Sequence, residues 1–253
     1  MPMFDGSVRD FDALRTAFRW QVPEFYNVAH EVCDRHTHLR DTVALYCENA
    51  AGEQRTVTFG QLKELSNRFA NVLRAKGVRA GDRVAIVLPQ RAETAIAHLA
   101  AYKLGAVAVP LSVLFGPDAL RYRLADSEAR AVICDGERFA RIEPMGVDLP
   151  ALNTLIVCGG DDPSKDFWSL LDKASASLDP VYTRADDAAL LIYTSGTTGP
   201  PKGALVAHRA LLGNAPGFEL SQNFFPQQDD LFWTPADWAW TGGLWDGLLP
   251  TLY

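Results

Sequence analysis

The sequence predicts an α/β protein built on mainly parallel sheets flanked by helices. Three observations carry the prediction. First, five short segments are apolar almost throughout: 83–88, 106–109, 131–134, 154–157 and 188–193. Second, helical patterns separate the earlier of these segments, at 92–104 and after Gly116-Pro117. Strands apolar on both faces that alternate with helices belong to a parallel sheet covered on both sides. Third, 253 residues that are 48% hydrophobic can bury a large core without disulfide support.

Taken in order, residues 42–47 and 55–59 read as two strands joined by a turn at Asn49 to Gly52. A helix follows from Gly60 to about Lys76. Thr58 and Gln61 form its capping box, because hydroxyl and amide can each satisfy an orphan backbone donor. Leu62, Leu65, Phe69, Val72 and Leu73 share one helical face, and Gly77 stands just past the end. Gly81-Asp82 turns the chain into the strand at 83–88, and the 92–104 helix is apolar on most sides. The strand at 106–109 is stopped by Pro110. The stretch from Gly159 to Asp187, rich in Asp, Ser and Pro, reads as a surface excursion before the last buried strand.

A net charge of −7 excludes a broad basic face for nucleic acid. It leaves room for a local anion site made of backbone N–H groups. Cys33, Cys47, Cys134 and Cys158 form no CxxC pair and read as buried free thiols. His30, Cys33, Asp34, His36 and His38 crowd one segment, but their spacing fits no zinc pattern and no metal site is assigned. That segment reads as a solvated helix end. The polar, acidic start is unlike a signal peptide, and no apolar run nears the roughly 20 residues of a membrane span. A cytoplasmic location is the resulting expectation.

The strand at 188–193 runs into Thr194-Ser195-Gly196-Thr197-Thr198-Gly199-Pro200-Pro201-Lys202-Gly203. Glycines permit a tight backbone path, threonines and a serine supply hydroxyl donors, and Lys202 adds a positive charge. Such a loop at the end of a buried strand suits a polyphosphate. It is not a Walker loop, because Pro201 rather than glycine precedes Lys202. Nor does Ser195 sit in a G-x-S-x-G elbow.

Leu191 to Lys202, L-I-Y-T-S-G-T-T-G-P-P-K, resembles the AMP-binding signature of the adenylate-forming superfamily. That group includes acyl-CoA synthetases, luciferases and peptide-synthetase adenylation domains. Residues 27–35, 56–59 with the helix after them, and 81–110 look like the N-terminal half of the acyl-CoA synthetase branch. Thr234 to Gly243 is similar to the next family motif, an Asp-x-Gly-Trp core leading into the acyl pocket, with Ala239 where the family usually has glycine.

The resemblance implies an enzyme, an AMP-forming acid–thiol ligase of fatty-acid metabolism. It would use ATP, Mg²⁺ and coenzyme A to convert a carboxylic acid first to an acyl-adenylate and then to a thioester. It implies that Thr194, Ser195, Gly196, Thr197, Thr198, Gly199 and Lys202 hold the β- and γ-phosphates, with Lys202 also acting in the reaction. Trp240, Thr241 and Gly242 would line the acid pocket, although a cluster of Trp233, Trp238, Trp240 and Trp245 reads equally well as core packing. Two alternatives stay open: an adenylating enzyme with another acceptor (a carrier-protein thiol or oxygen), or a non-catalytic half-length nucleotide-binding module.

In this family the adenine and ribose sites, the main Mg²⁺ carboxylate, the hinge and the adenylation lysine lie further along the chain. The expected layout is therefore an N-terminal extension with a helix (1–40), a first α/β subdomain (41–193), and the phosphate loop with the truncated start of a second subdomain (194–253). Alone, such a piece is expected to be inactive. Leu244, Trp245, Leu248 and Leu249 are expected to be left exposed and to favour self-association. Acetate-activating members carry bulkier residues after the motif's Trp, so Thr241 and Gly242 imply a deeper pocket.

Overall fold

The computed structural model describes residues 3–4, 8–179, 181–194, 199–227 and 229–253. A short helix α1 (Phe11–Ala17) precedes a two-stranded antiparallel sheet of β1 (Val43–Glu48) and β2 (Gln54–Thr58). There follow α2 (Phe59–Ala75), β3 (Arg83–Val87), α3 (Ala92–Lys103), β4 (Val107–Pro110), α4 (Pro117–Asp126) and β5 (Ala131–Asp135). Then come α5 (Gly136–Ile142), β6 (Thr154–Cys158), α6 (Phe167–Lys173), β7 (Ala188–Thr194), β8 (Lys202–Ala207) and α7 (Ala210–Ser221). Three short helical pieces, Thr241–Gly243, Leu244–Leu248 and Leu249–Leu252, close the chain.

Among the described residues the main sheet has six strands in the order β6-β5-β3-β4-β7-β8. All neighbours run parallel except β8, which returns antiparallel along β7. The expected α/β class and its mainly parallel sheet are thus present. Period-2 geometry splits each strand between two cores. Val84, Ile86, Ala131, Ile133, Leu190 and Ile192 face the larger core, beneath α2, α3 and α6. Ala85, Val87, Val132, Cys134, Leu191 and Tyr193 face the smaller one, closed by Leu120 and Leu124 of α4 and Ile142 of α5. The capping box at Thr58 and Gln61 forms with both of its hydrogen bonds. β4 runs one residue further than expected, with Pro110 as its last residue.

Three expectations need correction. The stretch read as a surface excursion contains α6, capped by Asp166 and anchored by buried Phe167 and Leu171. Phe167 packs on Phe69 at 4.5 Å between ring centroids. The four apolar residues of α6, Phe167, Trp168, Leu170 and Leu171, span barely two turns inside an Asp/Ser/Pro-rich run, too short a stretch to betray it. The 30–38 segment is packed, not solvated: Val32, Cys33 and His36 are buried, and Asp34 binds the buried Lys103 ammonium at 2.7 Å. Finally, Leu244, Trp245, Leu248 and Leu249 are all buried in the larger core, so they offer no apolar patch. Trp245 meets Tyr102 of α3 edge-on at 6.4 Å, and every residue of that helix is buried.

Two buried imidazoles sit near that contact. His208 Nδ1 accepts the Val28 N–H at 3.2 Å, which places the ring proton on Nε2. Burial holds His208 down to about 4 and His98 down to about 3. Glu93 is buried too. Burial alone would raise its carboxyl, but the hydrogen bonds from Arg91, its own backbone N–H and the Trp168 indole, with the Arg91 charge, bring it to about 2.

Unfolded imidazoles titrate near 6.5, so between roughly pH 6.5 and 4 the unfolded chain binds protons that the folded chain refuses. Stability is therefore complete above about pH 6.5 and declines as pH falls, by roughly 3 kcal/mol for His208 by pH 4. The Glu93 contribution is lost below about pH 4.3. Thermal unfolding at pH 7.5 and 5.0 should show a lower midpoint at pH 5.0, with a smaller drop in His208→Asn, whose amide oxygen can replace Nδ1 as acceptor. Equal midpoints at the two values would contradict this account.

Candidate phosphate and acid site

β7 is buried from Ala189 to Tyr193 and emerges into solvent only at Thr194. Of the sequence-predicted phosphate residues, Ser195, Gly196, Thr197 and Thr198 lie outside the described residues. Gly199 sits at φ +107°, a left-handed conformation that strains any residue with a Cβ. The chain then returns as β8, with Thr194 opposite Lys202 and Tyr193 opposite Gly203. The lysine thus stands exposed, level with the point where the buried strand ends. Sequence spacing alone does not give that pairing.

Helix α4 meets both arms of this hairpin. Tyr193 Oη donates to Asp126 Oδ2 at 2.6 Å, and Tyr122 Oη donates to the Pro201 carbonyl at 2.9 Å. Burial, then the Asp126 carboxylate, pushes the Tyr193 phenol well above its ordinary value, so it remains a donor. Tyr122 and Asp126 were not singled out from the sequence. The one signal available was their spacing of four, which puts them on the same helical face.

The 234–243 motif lies against the loops that follow β3 and β4. Gln90 Nε2 donates to the Ala236 carbonyl at 2.8 Å, and Ser112 Oγ donates to Asp237 Oδ2 at 3.0 Å. The other Asp237 oxygen accepts the Ala239 N–H at 3.0 Å, and Thr234 Oγ1 accepts the Ala236 N–H at 3.2 Å. Trp240, Thr241 and Gly242 are solvent-facing neighbours at the end of this turn. The Trp240 ring stands edge-on to Phe115 at 6.0 Å. The Arg123 guanidinium lies 4.1 Å over Phe115 and 5.6 Å from the Tyr193 ring centroid. A chain of contacts, Trp240–Phe115–Arg123–Tyr193, therefore joins the 234–243 turn to β7.

The four tryptophans divide. Trp245 is core, Trp238 packs against the core, Trp233 is exposed, and Trp240 is half-exposed beside Phe115. A surface depression of about 620 Å³ lies between α4 and Asp148, lined in part by Tyr122 and Asp126. Among the described residues no group of three or more His, Cys, Asp or Glu converges as a metal site. No helix there is long and apolar enough to cross a membrane. Burial pushes the Cys33 and Cys134 thiols up to about 12, so neither is a ready nucleophile.

A family model described as AMP-binding enzyme matches residues 33–253. The chain belongs to this family. It is 35% identical to the acetyl-coenzyme A synthetase of Magnetococcus marinus over 257 residues, covering 94% of this chain and 40% of that protein. It is similar to the crystal structure of Brucella canis acyl-CoA synthetase, with a TM-score of 0.80, 28% identity, and coverage of 99% of this chain and 46% of that one. It is also similar to the anthranilate CoA ligase AuaEII in complex with anthranoyl-AMP, with a TM-score of 0.79, 26% identity, and coverage of 92% and 44%. The chain thus spans less than half the length of these relatives.

The motif glycines differ sharply in what they tolerate. A Cβ on Gly243 would stand 2.5 Å from the Ala236 and Asp237 carbonyl oxygens, whereas one on Gly242 would meet nothing within 4 Å. Gly243→Ala should therefore destabilise by about 1–3 kcal/mol through overpacking, and Gly242→Ala should change stability by no more than about 0.5 kcal/mol. Denaturant unfolding of the two variants checks the contrast; equal losses would refute it.

Proposed function

We propose that this chain is the part of an AMP-forming acid–CoA ligase that grips the ATP polyphosphate and forms one wall of the acid pocket. The observation that carries the reading is the hairpin at 194–202, launched from a buried strand, with exposed Lys202 paired opposite Thr194. In the proposed reaction, a carboxylate oxygen of the acid attacks the α-phosphorus of ATP. The bond to the pyrophosphate oxygen breaks, and its electron pair leaves with pyrophosphate. The thiol sulfur of coenzyme A then attacks the acyl carbonyl, AMP departs, and the thiol proton passes to solvent. Both nucleophiles come from substrates, so the protein contributes position and charge.

The loop hydroxyls and N–H groups at 194–199 would hold the β- and γ-phosphates, and Lys202 would offset the charge gathering on pyrophosphate. Among the described residues no carboxylates converge to hold the Mg²⁺ ion that would accompany the nucleotide. Coenzyme A is favoured over other acceptors because the relatives include an acetyl-coenzyme A synthetase and an anthranilate CoA ligase.

In the full-length enzyme that carries this segment, Lys202→Ala should lower kcat/KM for ATP by about 10- to 100-fold, the value of a charge-assisted phosphate contact. If Lys202 acts mainly in the transition state, kcat should fall with it. Carboxylate-dependent ATP–pyrophosphate exchange measures both, and wild-type kinetics for the variant would make Lys202 a bystander.

The acid itself is proposed to be medium-chain or aryl rather than acetate. Gly242 adds no side chain beside Trp240, and the space where its Cβ would stand is open. Each further buried methylene can contribute about 0.8 kcal/mol, roughly fourfold in kcat/KM. Gly242→Val should shift preference towards shorter acids by filling that space. The measurement is kcat/KM across straight-chain acids and benzoate for both forms of the full-length enzyme. Acetate as the best substrate of the unaltered enzyme, or an unchanged profile in the variant, would remove the assignment.

A further inference from the structure

We infer that Tyr122 and Asp126 of α4 are positioning residues for the polyphosphate grip, acting through the two ends of the 194–202 hairpin; the inference rests on the phosphate reading above. Tyr122 binds the carbonyl of Pro201, the residue before Lys202. Asp126 binds the hydroxyl of Tyr193, the residue before Thr194. One helical face therefore holds the outgoing arm and the returning arm of the same loop.

The β7–β8 ladder cannot do this alone. Its hydrogen bonds fix the register and separation of the arms, Thr194 against Lys202, but not how the paired arms tilt relative to the rest of the sheet. The outer strand β8 is solvent-exposed from Lys202 to Leu205 and has no neighbour on its far side among the described residues. The contacts from α4 supply the missing restraint. The helix is itself a fixed reference, because Leu120 and Leu124 are buried in the core formed with Ile142, Met145 and Leu149. The Tyr193–Asp126 bond is short and charge-assisted, the stronger class of hydrogen bond. A binding loop whose donors must match a polyphosphate loses affinity when its frame shifts by a fraction of an ångström.

The test uses the 253-residue chain with inorganic tripolyphosphate as probe, in wild type, Tyr122→Phe, Asp126→Ala and Asp126→Asn. Hydrogen exchange should quicken by about 3- to 10-fold at the amides of β7 and β8 next to the loop in Tyr122→Phe and Asp126→Ala, with β3 and β5 unchanged. Calorimetric affinity for tripolyphosphate should fall by a similar factor in both variants. Asp126→Asn keeps an acceptor oxygen and should recover most of the loss. A purely structural role would lower the melting temperature without moving the affinity, and that result overturns the inference. Unchanged local exchange overturns it as well. A wild-type chain that binds no tripolyphosphate overturns the phosphate reading instead, whereas one that binds it as tightly as both variants do overturns only the role given to α4.

Discussion

The candidate site depends on one constraint: β7 is enclosed between β4 and β8 and cannot turn a polar group to solvent before Thr194. A backbone buried on both faces must satisfy its N–H and C=O groups within the sheet. Only where the ladder ends are such groups free to face an anion. The antiparallel return of β8 repeats the constraint from the other side, because it sets Lys202 level with that end. The loop chemistry is thus delivered by strand burial rather than by the loop residues alone.

The same sheet edge gathers the second motif. Loops after β3 and β4 supply Gln90, Ser112 and Phe115, each touching a residue of the 236–240 turn. These contacts come from elements far apart in sequence, brought to one edge because parallel strands all end on the same side. Arg123, stacked between Phe115 and Tyr193, makes α4 the shared neighbour of both motifs. The helix therefore bears on the arms of the 194–202 hairpin and, through Phe115, on the 236–240 turn at once. Gly243 closes the turn because the 236–237 carbonyls approach too closely for any side chain.

Much of this architecture was legible in the sequence. Apolar runs such as Val84–Val87 and Ala131–Cys134 announce strands covered on both faces, and the Thr58–Gln61 box announces the start of a helix. These signals are local: they depend on side-chain periodicity and on backbone groups three residues apart. α6 was hidden because a seven-residue helix with two buried anchors leaves too little periodicity to read. The burial of Leu244, Trp245, Leu248 and Leu249 was hidden for a different reason. An apolar residue near a chain end gives no sign of whether a partner such as α3 lies within reach.

At the site, the sequence by itself determined the inventory. It gave a glycine- and hydroxyl-rich loop with one lysine, followed by a tryptophan–glycine turn, and these residue types already limit the chemistry to anion and apolar recognition. Only the tertiary structure decided which residues hold that inventory in place. Tyr122 and Asp126 are polar residues on a surface helix, indistinguishable in sequence from solvated ones. Their roles arise from hydrogen bonds to Pro201 and Tyr193, 79 and 67 residues away. Hydrogen bonds are directional and short-ranged, so which groups pair is fixed only once packing has brought donor and acceptor within about 3 Å.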